Sequence, residues 1–239
     1  MINQKKTTLF IGHFGSGKTE IAINYAISLK NKGYRTQIVD LDLVNPYFRS
    51  REARDYMESL GINVVAPKNE YAFADLPILL RGVRAAISDE STYTVFDVGG
   101  DDLGAKVLGG LSSYFIEQKS EVLLVLNERR PFTDSKSGLL KIKSEIEKAS
   151  RLKVTALVSN THLMNETTFD IINGGIHFSL ELSKELNLPL KFASIEKRLL
   201  QRLDSIDFKC SILEIERFMT MPWDNTNRRG PIGRPPSFS

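Results

Sequence analysis

The chain has 239 residues and a formal charge of +3, with 41% hydrophobic and 26% charged residues. That is the composition of an ordinary globule long enough to bury a sizeable core, and the slight charge does not supply the basic stripe of a nucleic-acid binder. Cys210 is the only cysteine, which rules out an intramolecular disulfide and a four-cysteine metal or cluster site within one chain.

Met1 to Lys6 is polar and lacks the apolar core of a secretory signal. No apolar run approaches the ~20 residues of a membrane span, so the expected location is cytoplasmic. Thr7 to Ile11 then reads as a buried strand. It opens into Gly12-His13-Phe14-Gly15-Ser16-Gly17-Lys18-Thr19, and Glu20 to Lys32 follows as a helix stopped by Gly33. Arg35 to Asp42 is a second strand, ending in Asp40 and Asp42. A turn at Asn45-Pro46 leads to a helix over about Arg49 to Leu60, stopped by Gly61.

Ile62 to Ala66 is a third strand, followed by a helix near Leu76 to Ser88. Tyr93 to Val98 is the fourth strand, and it runs into Gly99-Gly100-Asp101-Asp102 before a helix near Ala105 to Gln118. Glu121 to Leu126 is the most apolar run, as suits a central strand buried on both faces. Further helices are expected over Ser135 to Ser150 and Phe169 to Leu186, with strands at Val154 to Ser159 and Leu190 to Ala193. The rest, Glu196 to Met221, reads as helical, and Cys210 within it as a small core residue. From Pro222 the sequence is rich in proline, glycine and polar residues and should form no packed element. The expected organisation is one α/β domain over 1–221 and a disordered tail over 222–239. Its sheet should be mainly parallel, seven- or eight-stranded and flanked by helices on both faces.

Gly12 to Thr19 fits G-x-x-x-x-G-K-[ST] between a strand and a helix, the context that gives this motif its meaning. Glycines let the backbone approach phosphate oxygens, and the following helix offers unpaired N–H groups and the positive end of its dipole. Residues 12–20 are therefore the expected nucleotide-binding set. Lys18 reaches the β- and γ-phosphates, the Thr19 hydroxyl ligates magnesium and Glu20 opens the helix. Ligands in such sheets sit at the carboxyl ends of the strands, where Asp40, Asp42 and Asp97 also end up.

These motifs (G-H-F-G-S-G-K-T, V-D-L-D and F-D-V-G-G) resemble those of the MinD/ParA-type P-loop ATPases, in the CobQ/CobB/MinD/ParA superfamily of the SIMIBI class. The resemblance implies ATP and magnesium as cofactors. It implies Asp42 as the residue that orients the attacking water, Asp97 as the Walker-B acid and Asp40 as a neighbour supporting the metal shell. It places Asn160 against the purine, where its amide matches adenine; the N-K-x-D pattern for guanine is absent, because Thr161, His162 and Leu163 follow. Relatives that dimerise around ATP carry a second lysine where this chain has His13, so a homodimer is possible but lysine's permanent charge is missing.

Leu43 to Arg54 corresponds to a switch region and carries Arg49, Arg51 and Arg54. His162 and His177 lack metal-ligand spacing and are given no role, and Phe208 to Met221 is expected to pack as a helix on the domain. The expected function is a magnesium-dependent ATPase that switches binding to an unidentified protein partner. The alternatives are an ATP-dependent ligase that activates a small carboxylate near Arg49 or Arg51, and a nucleotide-gated scaffold without turnover.

Overall fold

A computed structural model describes residues 5–42, 51–67, 76–200 and 210–219. The strands are β1 (Thr7–Ile11), β2 (Thr36–Leu41), β3 (Asn63–Val65), β4 (Tyr93–Val98), β5 (Glu121–Leu126), β6 (Ala156–Ser159), β7 (Leu190–Glu196) and β8 (Ile212–Ile215). The helices are α1 (Lys18–Asn31), α2 (Arg51–Ser59), α3 (Leu76–Ser88), α4 (Asp102–Glu117), α5 (Lys136–Ser150), α6 (Phe169–Leu186) and α7 (Lys197–Leu200).

All eight strands form one sheet in the order β3-β2-β4-β1-β5-β6-β7-β8, and every neighbouring pair is parallel. Side chains alternate between two cores, as the period of two in a strand requires. Leu9, Ile11, Val39, Leu41, Val122 and Leu124 face α3, α4 and α5. Phe10, Ile38, Leu123 and Val125 face α1 and α2. The Tyr25 ring of α1 meets Phe10 edge-on at 5.4 Å and stacks on Phe192 at 5.9 Å, which ties the helix to β1 and β7. No helix among the described residues is long and apolar enough to cross a membrane.

The expectation of helix throughout Glu196 to Met221 is overturned. Glu196 closes β7, and Ile212–Ile215 is an edge strand paired with β7, while α7 covers Lys197–Leu200 and residues 201–209 lie outside the described residues. Ile212, Leu213, Ile215 and Phe218 suit a helical face as well as a strand. The strand is selected because Leu213 and Ile215 are buried while Glu214 between them is exposed. Cys210, read within that helix, lies just before β8, half-buried against the Ile172 and Ile176 cluster. The tail over 222–239, Phe208 and Lys209, and the switch segment through residue 50 lie outside the described residues.

The strap that leaves β8 is held to α1. Asn24 donates to the Glu216 carbonyl at 2.9 Å and accepts from the Glu216 N–H at 2.8 Å. Glu20 accepts from the N–H groups of Phe218 and Met219, and Phe218 is buried with its ring against Tyr56 of α2.

Candidate functional site

The loop between β1 and α1 gathers side chains from the carboxyl ends of β2, β4, β5, β6 and β7. Its glycines are dictated by close approach. Gly17 caps α1 in the left-handed region (φ 87°), and a Cβ there would lie 2.2 Å from the Asn160 amide nitrogen. A Cβ on Gly100 would lie 2.8 Å from both the Lys18 Nζ and the Phe14 backbone nitrogen, so the loop after β4 rests directly on the phosphate loop.

Lys18 is buried at 7% exposure and donates from Nζ to the His13 carbonyl at 3.1 Å. Burial lowers its pKa, while the charges of Asp97, Asp42 and Asp101 oppose that shift. Asp97 is 1% exposed, and neither carboxylate oxygen has a well-formed hydrogen bond. Burial pushes its pKa up to about 6; the nearby Thr19 hydroxyl and Lys18 pull against that, and Asp42 adds to it. An orphaned buried carboxylate beside a hydroxyl is a hard-oxygen pair that fits magnesium. Among the described residues there is no group of three histidines, cysteines or acids that could hold a metal. Most of the ligands of such an ion would therefore come from phosphate and water, as magnesium tolerates.

Asp40 and Asp97 are register partners across β2 and β4. Asp40 is fully buried and its Oδ1 accepts the Asp42 N–H at 3.0 Å, so it positions the Asp42 backbone. The Asp42 carboxylate faces Gly99, with Oδ1 3.4 Å from where a Cβ on that glycine would sit. Lys18, Thr19, Asp42 and Asp97 thus converge.

Two residues of the expected nucleotide-binding set, Asn160 and Glu20, make contacts within the chain. Asn160, expected against the purine, is 3% exposed; it donates to the Ser16 carbonyl at 2.7 Å and accepts from the Ser194 hydroxyl at 2.5 Å. In this structure it braces the loop, because a carbonyl stripped of water next to β6 needs a donor. The Glu20 side chain likewise faces Phe218 and Met219, and burial raises its pKa to about 7. The Phe14 ring is 70% exposed, and the His13 ring lies 5.7 Å from that of Phe132. Ser16 is buried with no partner for its hydroxyl.

Sequence reasoning missed several neighbours. Arg130, after β5, has its Nε 3.7 Å from where a Cβ on Gly15 would sit. His162 Nε2 lies 3.4 Å from the corresponding point on Gly17. Burial, with the charges of Arg130 and Arg217, lowers its pKa to about 4, so its ring is neutral at pH 7. Ser194 completes the Asn160 brace. Only the strand-end position of these residues could have signalled them.

A pocket of about 200 Å³ opens beside Gly12 and His13, between the end of β4 and helices α4 and α5. Its polar lining includes His13, Asp101 and Glu145, with no lysine or arginine among the described residues. Arg49 lies outside the described residues, as does the side chain of Arg51.

No family model matches the chain, and no curated protein matches it. Solved structures do. The chloroplast FtsY of Physcomitrella patens is similar at 20% identity and a TM-score of 0.54, over 80% of this chain and 59% of that one. The cell division protein FtsY of Thermotoga maritima gives 19% and 0.53, over 81% and 63%. FtsY of Elizabethkingia anophelis in complex with GDP gives 19% and 0.53, over 82% and 58%. The chain thus spans less than two thirds of the length of each. At this identity the likeness is one of fold, that of a P-loop NTPase, and the narrower MinD/ParA resemblance rests on the motifs alone.

Proposed function

We propose that this chain is a magnesium-dependent purine nucleoside triphosphatase that acts as a nucleotide-dependent switch on a protein partner. The observation that carries the reading is the buried Asp97 carboxylate, left without a well-formed hydrogen bond among the described residues and close to the Thr19 hydroxyl and Lys18. Lys18 would exchange the His13 carbonyl for phosphate oxygens. The loop N–H groups and the α1 N-terminus would hold the phosphate chain, and Asp42 would orient the attacking water. Thr19 and Asp97 would hold magnesium, which supplies neutralising charge on the β- and γ-phosphates. Gly99 and Gly100 lie against both Asp42 and the loop. Loss of the terminal phosphate could therefore be transmitted into α4 through that turn.

Two observations bear on the base. No acid follows Asn160 where one would pair with guanine, which supports ATP. The Elizabethkingia FtsY structure holds GDP on the same fold, which supports GTP. The MinD/ParA kinship belongs to this proposal and rests on V-D-L-D and F-D-V-G-G. The carboxylate-activating alternative gains nothing from the acidic lining of the pocket.

The test is nucleotide binding and single-turnover hydrolysis, with ATP and GTP in competition. Lys18→Ala is expected to abolish binding; Asp42→Ala is expected to bind normally and hydrolyse at least about tenfold more slowly. Wild-type affinity in the Lys18 variant would overturn the binding site. An unchanged rate in the Asp42 variant would remove that residue from the mechanism, and a wild-type protein that binds nucleotide without turnover would be a scaffold.

A further inference from the structure

The loop between β5 and α5 is a rigid turn built on Asn127, which is fully buried. The Asn127 carbonyl accepts the Thr133 hydroxyl at 2.6 Å and the Arg130 N–H at 3.3 Å, and its side-chain oxygen accepts the Arg129 N–H at 3.1 Å. The Arg130 carbonyl in turn accepts from both the N–H and the hydroxyl of Thr133. This frame places the Arg130 side chain beside the phosphate loop, with Nε and Cδ 3.7 and 3.8 Å from where a Cβ on Gly15 would sit. The Nε–H is buried and has no hydrogen-bond partner among the described residues.

Arg130 is part-exposed as a side chain, but its Nε–H is shut off from water, and a desolvated donor left without an acceptor costs free energy. A fold keeps such a group where something outside the chain satisfies it. The surface it rests on is a phosphate cradle, and a guanidinium is the side chain best matched to phosphate oxygens. Position 13, meanwhile, carries a histidine whose ring lies against Phe132 and brings no fixed charge. We propose that Arg130 is a phosphate-binding residue, supplying from the β5–α5 turn a fixed cation to the phosphate chain held by Gly12–Thr19. This rests on the nucleotide-binding reading above and adds to it a contact outside the loop motif.

The proposal separates cleanly from a structural role. Because Nε bonds to nothing in the ligand-free protein, Arg130→Ala should leave the unliganded melting temperature unchanged or slightly raised. It should weaken pyrophosphate and nucleoside diphosphate binding roughly tenfold or more, as loss of a charge-assisted hydrogen bond does. Arg130→Lys should recover part of that affinity and Arg130→Gln none of it. Titration calorimetry with pyrophosphate, ADP and GDP reads this directly, with Lys18→Ala as the reference. Wild-type affinity in Arg130→Ala, or a fall in unliganded stability that accounts for the loss, would overturn the role of Arg130 while leaving the nucleotide site standing. Failure of the wild-type chain to bind any of the three probes would instead overturn the nucleotide reading itself.

Discussion

Asp97 shows how a single residue can be placed against the stability of the fold. An aspartate ordinarily titrates near 3.8, and burial moves this one to about 6. The folded state therefore binds the proton more tightly than the unfolded chain does, and stability falls as pH rises from about 4 to about 6. Above that window the buried charge is a penalty on the ligand-free protein. Asp97→Asn should remove it. In chelator at pH 8 the variant is expected to melt higher than wild type, with the difference fading by pH 4, and it should lose the gain in nucleotide affinity that magnesium confers. Thermal melts across that pH range, with and without magnesium, check both parts; a variant less stable than wild type at pH 8 contradicts the account. His162 works in the opposite sense. Its pKa is lowered to about 4, so its contribution is present above pH 6.5 and is lost as pH falls towards 4.

At the scale of elements, the informative joint is the one between α1 and the strap after β8. These segments are far apart in sequence, yet Asn24 and Glu216 exchange two hydrogen bonds. Asn24 is 7% exposed, so Asn24→Ala leaves both backbone groups of Glu216 short of a partner. The expected loss is roughly 1–3 kcal/mol, read as a lower urea midpoint at unchanged slope; an unchanged midpoint would mean that the Asn24 bonds add nothing to the β7 pairing, the Glu20 contacts and the buried Phe218. This joint also explains why the C-terminal part departs from the helix its sequence predicts. Ile212, Leu213, Ile215 and Phe218 carry both a helical and a strand period, and only pairing with β7 together with the clasp on α1 selects the strand. The earlier strands were legible because each is an apolar run bounded by turn residues.

At the scale of the whole molecule, the strand order places β1 between β4 and β5. The acids Asp40, Asp42 and Asp97 therefore lie on one side of the loop, and Arg130, Asn160, His162 and Ser194 on the other. A polyphosphate laid across β1 would meet the proposed magnesium ligands Thr19 and Asp97 at one end and the brace at the other. Ligand binding to such a cleft should stabilise the entire domain by mass action. At a nucleotide concentration of about 100 Kd the gain is about 2.7 kcal/mol, or roughly 5–10 °C in melting temperature for a domain of this size. Scanning fluorimetry with magnesium and either ATP or GTP measures this, and no shift with either nucleotide would count against the reading.

The sequence alone determined the phosphate loop, the parallel α/β architecture and the acids at the ends of the second and fourth strands. Each of these is a local pattern: a turn only glycine can make, an apolar run of strand length, a carboxylate following it. Tertiary structure decided what those residues touch. It turned Asn160 onto the Ser16 carbonyl, turned the Glu20 carboxylate onto the β8 strap and laid Arg130 along Gly15. Such contacts join residues distant along the chain, and their partners are chosen by the order of strands in the sheet, which no local periodicity encodes.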